Sequence, residues 1–201
     1  MALEGLLLGQ YRLLRLLGSG GMGEVYLAED ARINQQVAIK ISRTEASSYP
    51  NNSTIDDTIR LFQREAKAIA RLDHPHILPL FNYGEEKVNG MTLIYIVMPY
   101  RPEGSFINWL QQRAAHETLS VQDITYFISQ AADALQYAHD NQIVHQDVKP
   151  SNFLIRTNKQ HPKLPDLLLA DFGIARLNSL TTNISHSIRG TPTYSTRTVE
   201  R

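Results

Sequence analysis

The sequence predicts an α+β fold in which a strand-rich amino-terminal half precedes a helix-rich carboxy-terminal half. Between residues 10 and 41, apolar and polar residues alternate in short stretches separated by turns, which is the pattern of antiparallel strands. Along residues 121–141 the apolar residues instead recur at helical spacing. We therefore expect two lobes, one formed by residues 1–100 and the other by residues 101–201.

Composition limits the classes of protein that this chain can be. Hydrophobic residues make up 42% of the 201 residues, which is enough for a core. The 20 Lys and Arg residues equal the 20 Asp and Glu residues, so no basic excess favours nucleic acid or an anionic membrane as a partner. No cysteine is present, which excludes disulfides and thiolate metal sites. The longest apolar run is too short to span a bilayer, so we expect a cytoplasmic protein without a membrane segment.

The individual elements follow from local patterns of apolar, glycine and proline residues. Alternation predicts strands, helical spacing predicts helices, and polar turn-rich stretches predict loops. The predicted strands lie within residues 11–18, 23–30, 36–42, 77–84, 91–100, 153–155 and 167–170, the helices at 57–72 and 121–141, and the loops at 44–57 and 156–166.

The glycines of "GSGGMGEVY" follow the pattern G-x-G-x-x-G-x-V at Gly18, Gly20 and Gly23. Glycine lets backbone N–H groups approach phosphate oxygens because no Cβ stands in the way. A tight hairpin turn would use the same residues. Dinucleotide-binding folds also carry this spacing, but there a helix follows the glycines, whereas residues 24–28 alternate as a strand does.

Lys40 lies in the predicted strand "VAIK" among apolar or small residues. It is either an edge lysine that faces water or a fixed positive charge held against phosphates by a carboxylate. Glu65 on the following helix is the candidate carboxylate, although a lone glutamate on a helix is often only a surface charge.

The stretch "IVHQDVKPSNFLI" places Asp147, Lys149 and Asn152 between apolar flanks. Burying charges without partners is costly, so a site that exchanges these partners for a ligand explains the pattern. Asp171 follows a second apolar run and precedes a glycine in "LLLADFG". A nearly enclosed carboxylate suits a hard cation, although D-F-G by itself could form an ordinary turn.

These elements in this order resemble the protein kinase family, and specifically bacterial-type serine/threonine kinases. The resemblance covers residues 11–194 and is carried by "GSGGMGEVYLAED", "VAIK", "HQDVKPSN", "DFGIAR" and "GTPTY". It implies a two-lobed kinase fold with a complete antiparallel-sheet amino-terminal lobe and a truncated helical carboxy-terminal lobe. The implied function is ATP-dependent phosphoryl transfer to Ser/Thr hydroxyls of protein substrates.

The resemblance also implies roles for the polar residues of the catalytic loop. Asp147 would accept the proton of the substrate hydroxyl, and Lys149 would stabilise charge on the transferred phosphoryl group. Asp171 would bind Mg²⁺, with Asn152 on a second Mg²⁺. The presence of Lys149 two residues after Asp147 resembles the Ser/Thr class of kinases.

The family pattern further implies an ATP pocket with a glycine loop, a lysine paired with Glu65, an adenine roof and floor, a gatekeeper and a hinge. The residues implied to surround ATP, in chain order, are Gly18, Ser19, Gly20, Gly21, Gly23, Val25, Ala38, Lys40, Met98, Pro99, Arg101 and Leu154.

Two features depart from the family pattern. Gln146 replaces the arginine that normally pairs with a phosphate on the activation loop, so we expect activity not to depend on such pairing at position 146. The chain also ends at "GTPTYSTRTVER" where the family continues, and we expect apolar surface around Ile124 and Ile128 to be exposed. The alternatives are therefore a remnant that binds Mg-ATP with little transfer, and a fragment that does not fold.

Overall fold

The computed structural model describes residues 3–20, 23–44, 52–114 and 118–172, and the elements below belong to these ranges. They form a sheet-rich lobe followed by a helix-rich lobe, as the sequence predicts. The strands are β1 (Leu7–Leu8), β2 (Tyr11–Gly20), β3 (Gly23–Asp30), β4 (Gln35–Thr44), β5 (Asn82–Val88), β6 (Met91–Pro99), β7 (Phe153–Arg156) and β8 (Asp166–Leu169); the helices are α1 (Asn52–Ile69), α2 (Phe106–Ala114) and α3 (Val121–Asp140), with a 3-10 turn at Pro150–Asn152.

The first six strands form one antiparallel sheet in the order β1-β2-β3-β4-β6-β5. Because side chains alternate across a strand, β4 places Val37, Ile39 and Ile41 on one face and Ala38 and Lys40 on the other. The first face builds an apolar core in the sheet lobe. The second face is therefore left to line the space between the lobes.

Helix α1 lies against β5 and β6, and it buries Phe62, Ala66 and Ile69. The ring of Phe62 meets Tyr83 of β5 edge-on, with centroids 6.5 Å apart. The helix begins at Asn52, so the predicted loop at 44–57 is wrong from that residue onward; residues 45–51 lie outside the described ranges. The start of the helix is rich in Asn, Ser, Thr and Asp. These residues favour helix N-termini but are also common in loops, so the sequence did not distinguish the two.

The helix-rich lobe has α3 as its central element. Ser120 caps α3 in a capping box with Asp123, which fixes where the helix begins. The buried amide of Gln130 then accepts a hydrogen bond from the backbone N–H of Leu167, at 2.7 Å, and so holds β8 against α3. Helix α2 was not predicted, and its Phe106 packs on Phe127 of α3 with centroids 4.7 Å apart.

The two lobes are joined directly at β8. The N–H of Leu78 donates to the carbonyl of Leu169 at 2.9 Å, and the N–H of Leu169 donates to the carbonyl of His76 at 2.8 Å. The predicted strand at 77–84 is therefore only partly correct, because Ile77 forms an isolated bridge to Leu169 and the regular strand begins at Asn82. This arrangement anchors the strand that leads to Asp171.

The outer face of α3 exposes apolar side chains, as expected from the sequence. Ile124 is 48% exposed and Ile128 is 63% exposed, while Phe127 between them is buried. None of the helices in the described ranges combines the length and the apolar character that a membrane crossing requires.

Leu8 and Leu7 provide a matched test of the sheet core. Leu8 is fully buried and Leu7 is 54% exposed, although they are neighbours on the same short strand. We expect Leu8→Ala to lower the free energy of unfolding by about 3 kcal/mol, because it removes buried methyl groups and leaves a cavity. Leu7→Ala should cost less than about 1 kcal/mol, since its side chain is already in water. Urea denaturation of both variants measures the difference, and equal losses would contradict the burial described here.

Candidate functional site

The loop that the sequence predicts to be catalytic brings Asp147, Lys149 and Asn152 together. The ammonium of Lys149 lies 2.8 Å from Oδ2 of Asp147. The amide nitrogen of Asn152 donates to the same Oδ2 at 3.1 Å and to the backbone carbonyl of Asp147 at 2.8 Å. Asn152 is buried, whereas the side chain of Lys149 is about half exposed. The carboxylate of Asp147 is therefore oriented by two donors at the surface of the cleft.

His145 fixes this loop to the strand that leads to Asp171, a role that the sequence did not reveal. Its Nδ1 accepts a hydrogen bond from the N–H of Asp147 at 3.3 Å, and its Nε2 lies 2.8 Å from the carbonyl of Ala170. Since Nδ1 is the acceptor, Nε2 carries the proton and donates to that carbonyl. The ring is 1% exposed and packs on Phe172 with centroids 4.8 Å apart. The sequence marks His145 only as the first residue of the motif "HQDVKPSN" and, through the resemblance, as a packing residue.

Lys40 and Asp171 meet across the cleft. The ammonium of Lys40 lies 2.8 Å from Oδ1 of Asp171, although 131 residues separate them in the chain. The Lys40 side chain is 9% exposed and that of Asp171 is 37% exposed. Asp171 also has a positive φ of 61°, a conformation that non-glycine residues adopt rarely and that recurs at functional sites.

Glu65 is not the partner of Lys40 in this structure. Within the described ranges no ion pair joins the two residues, and Lys40 pairs with Asp171 instead. The pairing of Lys40 with Glu65 that the resemblance implies is therefore absent. Glu65 lines a cavity of about 250 Å³ between α1 and the loop that carries Gln142 and Gln146. Burial raises the pKa of Glu65 above its ordinary value, and the neighbouring Arg64 offsets this only in part.

The raised pKa of Glu65 leads to a stability prediction. Between the ordinary and the raised pKa the folded protein holds more protons than the unfolded chain, so stability falls as pH rises through that interval. We expect Glu65→Gln to stabilise the protein slightly at neutral pH, by less than about 1 kcal/mol, and to have no such effect at acidic pH. Thermal unfolding at both pH values measures this. A loss of stability at neutral pH would indicate that Glu65 has a stabilising partner.

The glycine loop is a hairpin between β2 and β3. Gly18 faces Val25, Ser19 faces Glu24, and Gly20 faces Gly23 in the antiparallel register. Gly21 lies outside the described ranges. At Gly23 the φ is 116° and a Cβ would overlap the backbone carbonyl of Ile41, so only glycine fits there. At Gly18 and Gly20 a Cβ would meet open space.

Gly23→Ala should therefore behave differently from Gly18→Ala. We expect the change at Gly23 to lower the free energy of unfolding by about 2 kcal/mol, because its φ and the overlap with Ile41 both oppose a side chain. The change at Gly18 should be nearly neutral for stability. Chemical denaturation of both variants checks this, and a neutral Gly23→Ala would contradict the geometry.

The predicted adenine pocket is gathered into one apolar cluster. Ala38 and Met98 face each other in the register of β4 and β6, and both are buried. Val25 and Leu154 pack against the same cluster. The sequence did not single out the other members of the cluster, Leu78, Leu168 and Ala170, or Ile96, which packs against it. Leu168 and Ala170 could have been found from their alternation in the last predicted strand.

The hinge residues lie where β6 ends. Pro99 is the last residue of the strand and faces Val37 of β4 in the register. Because proline lacks only the N–H, the strand can end there while its carbonyl stays available. The carbonyl of Arg101 accepts a hydrogen bond from the N–H of Gly104 at 3.2 Å, which closes the turn between the lobes.

The residues implied to bind Mg²⁺ have suitable donor atoms. Asp171 contributes an acceptor-only carboxylate. Asn152 uses its amide nitrogen as a donor toward Asp147, which leaves the amide oxygen as the atom suited to a cation. In the described ranges no group of three or more His, Cys, Asp or Glu residues could hold a metal ion. One carboxylate, one amide and the phosphates of a nucleotide are nevertheless a set that Mg²⁺ accepts, because it keeps several of its own waters.

Comparison with known proteins identifies similar sequences and structures. The model of the protein kinase domain family matches residues 11–198. The serine/threonine-protein kinase PrkC of Bacillus subtilis is 38% identical over 187 residues, which cover 92% of this chain and 26% of PrkC. The serine/threonine-protein kinase PknA of Mycobacterium tuberculosis is 38% identical over 169 residues, which cover 84% of this chain and 36% of PknA. The chain thus spans about a quarter to a third of the length of these relatives.

Solved structures with the same fold include the PknI kinase domain of Mycobacterium tuberculosis. Its crystal structure superposes with a TM-score of 0.64 at 31% sequence identity, covering 85% of this chain and 62% of that one. The predicted fold class is confirmed, because this chain, with its antiparallel-sheet lobe followed by a helical lobe, superposes on a solved kinase domain.

Proposed function

Because this chain belongs to the protein kinase family, we propose that it transfers the γ-phosphoryl group of Mg-ATP to Ser/Thr hydroxyls of protein substrates. The relatives that support the Ser/Thr class are named serine/threonine-protein kinases. In this chain, Lys149 lies two residues after Asp147, which supports the same class. The domain boundary near residue 100 and the roles of the site residues belong to this proposal.

The proposal rests on one observation: two charged pairs are connected to each other at one cleft. The Lys40–Asp171 pair and the Asp147–Lys149 pair come from distant parts of the chain. Two backbone contacts of Ala170 connect them: its N–H donates to the carbonyl of Asn152 at 2.8 Å, and its carbonyl accepts from His145. The apolar cluster that contains Ala38 and Met98 lies beside them.

The chemistry proposed for these side chains is positioning and charge neutralisation. Asp147 accepts the proton of the attacking hydroxyl, and its orientation depends on the donors Lys149 and Asn152. Lys149 then offsets negative charge on the transferred phosphoryl oxygens, and Lys40 does so for the α and β phosphates. When bound, Mg²⁺ supplies further neutralisation beside Asp171 and Asn152.

A second candidate function is Mg-ATP binding with little transfer. It is favoured by the ion pair between Lys40 and Asp171, because this pair leaves Glu65 without the role that the family pattern gives it.

One experiment separates the two functions. The purified 201-residue chain is incubated with Mg²⁺, γ-labelled ATP and a generic Ser/Thr substrate protein, and ATP binding is measured in parallel by calorimetry. Labelled phosphoserine or phosphothreonine supports the kinase. ATP binding without transfer that depends on Asp147 selects the binding function, and absence of both rejects the proposal.

A further inference from the structure

Helix α1 carries three basic residues in a single row on its surface, Arg60, Arg64 and Lys67, and Arg71 follows two residues beyond the end of the helix at Ile69; we call these four residues the basic row. At 100° per residue the three helical positions fall within an arc of about 60°, and they extend over about 10 Å. All four side chains are exposed.

The basic row lies opposite the buried face of α1, although Arg64 also lines the cavity that Glu65 shares with the loop of Gln142 and Gln146. Phe62, Ala66 and Ile69 form the buried face of α1, and their mean direction lies opposite the row at the same helical spacing. Within the described ranges none of the four residues forms an ion pair. The charge of Arg64 does act on Glu65, because it partly offsets the rise in the pKa of Glu65 that burial causes.

The row does not stabilise the helix by itself. Arg60 and Arg64 are four residues apart, Arg64 and Lys67 three, and Lys67 and Arg71 four, so each cation has another as its neighbour on the helix. Like charges at these spacings destabilise a helix by about 0.2–0.5 kcal/mol per pair. Only Lys67 and Arg71 lie near enough to the helix C-terminus for the helix dipole to favour their positive charges. Arg60 also has Asp57 and Asp56 three and four residues earlier, a spacing that favours a helix, so a stability role accounts in part for Arg60 but not for Arg64, Lys67 and Arg71.

We propose that the basic row of α1 binds an acidic segment of a partner protein, one that presents carboxylates at matching helical spacing. A linear segment fits because the row is one side chain wide. It is bordered by acidic groups: Glu65 lies on one side, and Gln63 reaches Glu85 of β5 at 3.5 Å on the other. A bilayer or a nucleic acid needs a broad basic surface, and the net charge of zero offers none. This inference goes beyond the proposed function and does not depend on phosphoryl transfer.

The test uses a synthetic helical peptide with glutamates at positions i, i+4 and i+7, which match Arg60, Arg64 and Lys67, labelled with a fluorophore. Its binding to the full chain is followed by anisotropy at low salt. We expect Arg60→Glu/Lys67→Glu to weaken binding about tenfold or more, and we expect affinity to fall with added salt. The control Arg32→Glu/Lys159→Glu changes the net charge equally at exposed sites elsewhere and should bind as the parent protein does.

Several results would overturn the proposal. Equal losses in both double variants would mean that only net charge matters. A peptide of the same composition but scrambled order that binds equally well would remove the spacing argument. Tighter binding of phosphatidylserine-containing vesicles or duplex DNA to the same row would assign it to a different partner. Circular dichroism of each variant shows that it is folded, so a loss of binding can be attributed to the surface.

Discussion

Asp147→Asn is expected to reduce phosphoryl transfer roughly a hundred- to ten-thousand-fold while ATP binding stays within about twofold. Asparagine keeps the shape of the side chain but cannot accept the proton of the attacking hydroxyl. The carboxylate also holds Lys149 at 2.8 Å, so the variant additionally loosens that ammonium. Initial rates with labelled ATP, together with calorimetric titration of ATP, measure the two quantities separately.

Asp140→Asn is the matched control for this prediction. Asp140 is an exposed carboxylate at the end of α3 that accepts a hydrogen bond from Gln136 at 2.8 Å, away from the cleft. It should leave both transfer and ATP binding unchanged. Retention of most of the activity in Asp147→Asn would show that another group accepts the proton, and the role assigned to Asp147 would be wrong.

Asp171→Asn is expected to abolish measurable transfer and also to destabilise the protein without ligand by about 3 kcal/mol. The loss of transfer follows from removing the carboxylate assigned to Mg²⁺. The loss of stability follows because Lys40, whose side chain is 9% exposed, would keep its charge without a counter-ion. Chemical denaturation in the absence of nucleotide isolates the second effect.

Lys40→Met removes the other partner of the same ion pair, and we expect it to cost less stability than Asp171→Asn. Asp171 is 37% exposed and remains hydrated when Lys40 is removed, so this variant should lose only about 1 kcal/mol although it also loses transfer. The double variant Lys40→Met/Asp171→Asn should be more stable than Asp171→Asn alone, because no buried charge is left unpaired. Additive losses of stability would show that the two side chains do not interact in solution.

Most strands of the sheet lobe could be predicted from the sequence because their residues alternate between apolar and polar or small. Such alternation runs along residues 23–30 and 36–42, and β3 and β4 lie there, although both strands are buried on both faces in their middle. Helix α3 was predicted for the same reason, with a different period. The start of α1 and the whole of α2 were missed. The first is polar and resembles a loop, and the second buries few residues, chiefly Phe106, so its pattern is weak.

The individual residues of the candidate site could be predicted from the sequence, but the contacts between them could not. The motifs identify Lys40, Glu65 and Asp171 through the resemblance to the family. They do not determine which carboxylate Lys40 contacts, since that depends on where α1 lies relative to the strand. The structure pairs Lys40 with Asp171, and it assigns to His145 a connecting role that no local pattern indicates.

The sequence by itself determined the family, the order of most of the elements and the identity of the polar groups in the cleft. These properties depend on local periodicity and on motifs of a few residues. Only the tertiary structure decided which charges meet, which glycine is irreplaceable and which face of α1 remains in water. Such properties depend on contacts between residues far apart in the chain, and a short-range pattern does not encode the distances between them.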